Sequence, residues 1–325
     1  MLNVLAATIP ELIGGSADLT PSNKTQFKGA VDFQKATPLG RYIRFGVREH
    51  GMAAICNGIA AFGALIPYCG TFLNFIGYAQ GAVRVTALSH FRVIYVGTHD
   101  SIGLGEDGPT HQPVEMLESL RTTPNMFLYR PADGNEVSAC YALAITNSHA
   151  PAVIALSRQN VPHLPGSSVE KAMKGGYVVF DSPASDGGVA GAAAGLPDLL
   201  VVSTGTEVPT AIEGAKALAA ASGKRVTVSS LPCWEVFAQQ PREYQLSVIP
   251  DGVPVLSIEA SHVHGWEKFA HASIGMTYFG KSAPGPDVYK ALGITAQAVA
   301  DKGARMLAHF AGKPVPPVFF NMPAF

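Results

Sequence analysis

Charge is scarce in this 325-residue chain: Asp, Glu, Lys and Arg make up 14% of it, and 23 basic against 24 acidic residues leave a net charge of −1. No basic field exists to attract nucleic acid or an anionic membrane, so neither is expected as a partner. Cysteine is also sparse. Cys56, Cys69, Cys140 and Cys233 have neither CxxC nor metal spacing and read as buried free thiols in a reducing compartment. No apolar run reaches the roughly 20 residues that span a bilayer, and no secretory pattern is read. A cytoplasmic location is therefore expected, with an organelle left open because Leu2 to Ile9 read as the tail of a helix closed by Pro10, as if the chain began inside a larger design. GxGxxG and HExxH are missing, which removes the usual signatures of dinucleotide and zinc-hydrolase sites. The terminal Pro323-Ala-Phe325 is not a peroxisomal address.

What is present is apolar: 47% of residues are hydrophobic, enough for a large core, while the low charge suggests that a partner covers part of the surface. Strand and helix signals alternate. Tyr42 to Val47 is strand-like, and Glu49 to about Phe62 carries a helical spacing of Met52, Ile55, Ile59 and Phe62. Strands are expected at 67–71, 92–97, 126–129 and 152–156, with helices over 73–88, 114–120 and 135–146. A polar, Pro-containing linker spans 158–168. The pattern restarts at Gly175-Gly176, with strands at 177–180, 199–202, 225–229 and 255–258 and a helix over 209–221. This predicts an α/β chain of two doubly wound domains, 1–174 and 175–325, each around a mostly parallel sheet. The segment 186–197 is low in complexity and is expected to be a mobile surface loop.

Six stretches bear chemistry. Glu49 sits where a loop becomes a helix, a place where a carboxylate caps the first turn for electrostatic reasons alone. Gly14-Gly-Ser-Ala-Asp-Leu-Thr-Pro-Ser-Asn23 reads as a Gly-Gly-Ser turn after a strand; Asp18 and Ser22 are either turn formers or ligand contacts. Phe72, Phe75 and Tyr78 recur every three residues on one helical face, as core or as a wall for a planar heterocycle. Thr98-His-Asp-Ser-Ile-Gly-Leu-Gly-Glu-Asp-Gly-Pro-Thr-His-Gln-Pro113 leaves the end of a strand, where open α/β sheets place ligands. It gathers His99, Asp100, Asp107 and His111 among Gly and Pro and makes a poor core segment. Arg158, after the strand at 152–156, is placed to fork onto a phosphate or carboxylate, or to be a plain surface Arg. The turn Ser203-Thr-Gly-Thr-Glu207 offers an anion site at a helix start, with an ordinary capped helix as the simpler reading.

In order, these motifs resemble transketolase. The match also takes in Arg41-Tyr-Ile-Arg-Phe-Gly-Val-Arg-Glu-His50, Gly70-Thr-Phe-Leu-Asn-Phe75, Arg130-Pro-Ala-Asp-Gly-Asn-Glu136 and Leu156-Ser-Arg-Gln-Asn160. It continues more weakly around Ser257-Ile-Glu-Ala260 and Trp266. The first half is similar to the family's pyrimidine-binding domain and the second to its C-terminal domain. The resemblance implies that Glu49 matches the carboxyl that hydrogen-bonds the aminopyrimidine ring of thiamine diphosphate and shares a proton with it. It implies that Phe72, Phe75 and Tyr78 wall that ring and that Asp18 lies near the cofactor. It places Ser22, His99, Asp107 and Arg158 on the sugar hydroxyls and phosphate, and His111 near the reacting carbons.

The same resemblance shows what is not here. The family's preceding domain holds the diphosphate and its Mg or Ca ion, and no equivalent motif is found, so no metal ligand is expected in this chain. The expected partners are sugar phosphates and either a second copy or a complementary diphosphate-binding domain or subunit. Dihydroxyacetone synthase shares these motifs, and a non-catalytic chain retaining the fold is the alternative from another class.

Overall fold

The computed structural model describes residues 1–182 and 195–322. The stretch expected as a mobile loop lies, from 186 to 194, outside the described residues, as does the terminal Pro-Ala-Phe. The first sheet contains β1 (Leu12–Ser16), β2 (Tyr42–Arg44), β3 (Ile66–Phe72), β4 (Ile94–Thr98), β5 (Phe127–Tyr129) and β6 (Ala152–Leu156). Its order is β2-β1-β3-β4-β6-β5, and every pair is parallel. All residues of β1, β3 and β4 are buried, as short apolar strands covered on both faces must be.

The second sheet contains β7 (Tyr177–Asp181), β8 (Leu199–Ser203), β9 (Val226–Ser230), β10 (Val255–His262) and β11 (Ala272–Met276). Its order is β11-β10-β8-β9-β7, with only β7 antiparallel to its neighbour. Both halves are thus α/β units with parallel or mostly parallel sheets. All four cysteines are buried and free.

Two expectations need correction. Gly14-Gly-Ser16 is not a turn; it is the second half of β1. Glycine is required there by close approach: a Cβ on Gly14 would lie 2.0 Å from the Tyr68 carbonyl oxygen, and one on Gly15 1.7 Å from that of Ile43. The helix expected over 73–88 is two segments, a 3₁₀ helix Leu73–Ala79 followed by an α-helix Gln80–Leu88. The helix Glu49–Phe62 stands as read, with Glu49 in its first turn and Gly63 closing it at φ +84°.

Candidate active site

Parallel pairing brings the ends of several strands to one place. Ser16 lies beside Arg44 and Gly70, Phe72 beside Thr98, and Thr98 beside Leu156. The chain therefore leaves β1 toward Asp18, β2 toward Glu49, β4 toward His99 and β6 toward Arg158 at a single end of the sheet. β1 lies between β2 and β3, which follow it in the chain, so the winding reverses here. Such a reversal opens a crevice at the carboxyl ends of strands.

The 3₁₀ geometry explains the aromatic stripe. With three residues per turn, side chains at i and i+3 eclipse. Phe72 and Phe75 stack at 5.8 Å and 18°, and Phe75 and Tyr78 at 5.8 Å and 29°. Burial falls along the ladder from Phe72, 6% exposed, to Tyr78, 71% exposed. A pure core stripe would not surface in this way. His99 stacks on Phe72 at 3.8 Å, and His111 meets Phe75 edge-on at 5.0 Å. The two histidines and the aromatic stripe therefore form one cluster.

His99 is buried and holds φ at +60°, a left-handed conformation that costs an L-residue roughly 1–2 kcal/mol. Its Nδ1 lies 3.0 Å from the Thr98 hydroxyl. Burial, and after it the nearby Arg158 guanidinium, lower its pKa to about 4, so the ring is neutral near pH 7; Asp107 and His111 also act on it. Arg158, Asp107 and His111 therefore each lie close enough to His99 to act on its charge. Arg158 and Asp107 are exposed. His111 is half-buried, and its Nδ1 lies 2.8 Å from the Thr110 hydroxyl. Asn74 donates a 2.8 Å hydrogen bond to the Thr110 carbonyl, tying the aromatic segment to the histidine loop.

Glu49 is half-buried, and among the described residues its carboxyl has no hydrogen bond or ion pair. Asp18 is exposed with φ +61°, and Ser22 is exposed in the short helix Thr20–Asn23. Among the described residues, neither side chain has a hydrogen bond or ion pair to the aromatic cluster. Their loop is held instead by Ser16, whose hydroxyl accepts from the Leu19 N–H and the Asn23 amide, each at 3.1 Å, and donates to the Gly70 carbonyl at 3.2 Å. Among the described residues no three His, Cys, Asp or Glu side chains stand together as a metal site.

Sequence reasoning missed a buried ionic hub behind the cluster. Arg130, 1% exposed, donates from Nε to Asp100 at 2.9 Å and from Nη1 to Glu207 at 2.5 Å and to the Thr204 carbonyl at 3.2 Å. The turn 203–207 thus holds a cation, not the anion considered for it. Gly205, at φ +56°, admits the guanidinium because a Cβ would sit 2.9 Å from it. Arg121 grips Glu259 with two 2.7 Å bonds, and the Trp266 indole donates to the same carboxylate at 2.8 Å. Burial opposes ionisation of Glu259, but Arg121 and Arg130 together carry it down to about 2. Glu207 and Glu259 lie 77 and 129 residues from Arg130, beyond any local motif.

Comparison with known proteins follows this geometry. The profile of "Transketolase, pyrimidine binding domain" matches residues 1–163, and that of "Transketolase-like TK C-terminal domain" matches 175–295. A transketolase from Kluyveromyces lactis is 57% identical over 95% of this chain. A crystal structure of a Pichia stipitis transketolase in complex with sedoheptulose-7-phosphate superposes with a TM-score of 0.92 at 50% identity, over all of this chain. The chain spans only 44% of the first and 47% of the second. A solved chain described as split gene transketolase, inactive beta4 tetramer, shares the fold at TM-score 0.73 and 23% identity, covering 94% of this chain and 95% of that one. The order of motifs, the two sheets and these matches agree: the chain belongs to the transketolase family.

Proposed function

We propose that these residues form the pyrimidine-binding and C-terminal part of a transketolase, with units at 1–174 and 175–325. The assembled enzyme moves a two-carbon ketol unit from a ketose phosphate to an aldose phosphate. The observation that carries this reading is the convergence of the Phe72–Phe75–Tyr78 ladder with His99 and His111 at the strand ends. The residues present suit the pyrimidine half of thiamine diphosphate: a stacked aromatic shelf surfaces beside a helix whose first residue is an unpartnered carboxyl. When bound, that cofactor supplies a nucleophilic carbon for the ketose carbonyl and a sink for the electron pair of the cleaved C–C bond.

The chain's own residues then have defined tasks. Glu49 shares a proton with the pyrimidine ring, and Asp18 borders it. Phe72, Phe75 and Tyr78 stack against the ring and exclude water. His99, neutral near pH 7, offers a ring nitrogen to a sugar hydroxyl, and Asp107 accepts from another. Ser22 and Arg158 hold the phosphate, Arg158 with a forked geometry suited to it. His111 lies near the reacting carbons and takes or gives a proton at Nε2, its Nδ1 being engaged by Thr110.

The diphosphate and a Mg or Ca ion are assigned to a separate domain, carried by a second copy or a complementary chain. The helix Glu49–Phe62 exposes Ile55 and Phe62 on one side, and Gln80–Leu88 exposes Val85 and Leu88. These faces suit docking of that domain. The 325 residues alone are expected to show no ketol transfer and to bind thiamine diphosphate weakly. Activity should appear with an added diphosphate-binding half, and Glu49→Gln should abolish turnover there while leaving circular dichroism unchanged. Ketol transfer by the purified chain without a second polypeptide would overturn the assignment, and a normal rate for the variant would return Glu49 to the role of a helix cap.

A further inference from the structure

The three residues that leave β4 face two ways. The His99 ring lies on Phe72, inside the site. The Ser101 side chain meets the second domain directly, and Asp100 is linked to it through Arg130 of the first. Asp100, 2% exposed, accepts from Arg130. The Ser101 hydroxyl lies 3.1 Å from the hydroxyl of Tyr289, which sits on the helix Gly285–Ala291.

The direction of these bonds can be traced. Tyr289 donates its only proton to Glu207 Oε1 at 2.7 Å, so Ser101 donates to Tyr289. Ser101 Oγ in turn accepts from the Gly103 N–H at 3.3 Å. The other oxygen of Glu207 accepts from Arg130, whose Nε holds Asp100. One carboxylate, 0% exposed in the first turn of the helix Glu207–Ser222, therefore closes a ring. The ring passes from Glu207 through Tyr289 to Ser101, along the backbone to Asp100, and through Arg130 back to Glu207.

The residue next to this ring has a backbone that needs holding. A histidine at φ +60° is sterically unfavourable and persists where its surroundings fix it. Release of Asp100 and Ser101 lets φ relax to negative values, and the imidazole then leaves Phe72.

We infer that Glu207, through Tyr289 and Arg130, is a positioning residue for His99, and that the second domain thereby sets the geometry of the sugar site. The consequence for substrate rests on the sugar-binding role proposed above for His99; the positioning itself does not.

The test uses Tyr289→Phe, which removes one hydroxyl and keeps the ring. In the 325-residue chain the readouts are the imidazole resonance of His99 and amide exchange at Ser101 to Leu104. The variant should move the resonance toward that of an unstacked histidine and speed exchange about tenfold. Ser101→Ala cuts the same relay from the loop side and should do the same. Tyr244→Phe removes a hydroxyl that donates to the Gly176 carbonyl at 2.8 Å, in the same domain but away from the loop, and should change neither readout.

If Tyr289→Phe and Ser101→Ala merely lower the melting temperature and leave resonance and exchange as in wild type, the positioning role is overturned. In enzyme assembled with a diphosphate-binding half, Tyr289→Phe should raise KM for the ketose phosphate several-fold and leave kcat within about twofold. A moved resonance with an unchanged KM would uphold the positioning and overturn the sugar-binding role of His99 instead.

Discussion

Glu136 is fully buried between the two domains and is the most informative residue to perturb for stability. Tyr177 of β7 and Ser230 of β9 donate to its Oε1 at 2.8 and 2.6 Å, and the Ala132 N–H donates to Oε2 at 2.7 Å. Burial outweighs these three bonds and raises its pKa from 4.5 to about 7. The folded chain therefore retains a proton that the unfolded chain releases near pH 4.5. Its contribution is fully present below the unfolded value and is lost as pH rises through about 7. At 1.36 kcal/mol per unit, the whole effect is about 3 kcal/mol, most of which falls between pH 5 and 8. Glu136→Gln keeps the shape, can still accept from Ala132, and can donate to the two hydroxyls without titrating. Urea unfolding of both proteins at several pH values separates this group from all others. Wild type should lose roughly 2–3 kcal/mol more than the variant between pH 5 and 8. Parallel profiles would refute the assignment of a protonated carboxyl to this interface.

Further outcomes follow at Gly58 and His99. Gly58 lies in the helix Glu49–Phe62 with nothing within 4 Å of an added Cβ, so Gly58→Ala should stabilise the isolated chain by about 0.5–1 kcal/mol in a thermal melt. The same methyl should weaken association with a diphosphate-binding half, measured by sedimentation, if this face docks; stronger or unchanged association would place the interface elsewhere. His99 should titrate by NMR with a midpoint near 4 instead of its ordinary 6.5. Its contribution to stability is then complete above 6.5 and lost as pH falls through about 4. A midpoint at or above 6.5 would show that the ring is not held in the buried place described.

Much of the framework was legible because it is written locally. The apolar runs at 92–97 and 152–156 announce the parallel strands Ile94–Thr98 and Ala152–Leu156, and the spacing from Glu49 to Phe62 announces a helix. The aromatic triplet was seen as a stripe, but its 3₁₀ winding, which makes the rings stack, was not. Gly14 and Gly15 were misread because a glycine pair signals a turn locally, whereas the constraint here comes from Tyr68 and Ile43 on neighbouring strands. The helices Gly285–Ala291 and Ala296–Phe310 and the strand β11 were not read at all. With them went Tyr289 and the whole hub around Arg130. An ion pair between residues 77 apart leaves no periodicity in a sequence, and a buried Glu207 looks like any acidic first turn.

The outer strands of the first sheet, β2 and β5, are three residues long, and neither presents a free row of backbone groups. Beyond β2, the Phe33 N–H donates to the Tyr42 carbonyl at 2.7 Å, the Tyr42 N–H donates to the Val31 carbonyl at 3.0 Å, and Asp32 pairs with Arg44. Beyond β5, the second domain takes over: Leu128 N–H donates to Glu235 at 3.2 Å and Arg130 N–H to the Pro232 carbonyl at 2.8 Å. Exposed sheet margins are templates for unwanted strand addition. The first sheet is thus closed at both margins to this route of aggregation. The apolar side chains left exposed nearby, Ile55, Phe62, Val85 and Leu88, lie on helices, where side-chain shape rather than backbone pairing governs any contact.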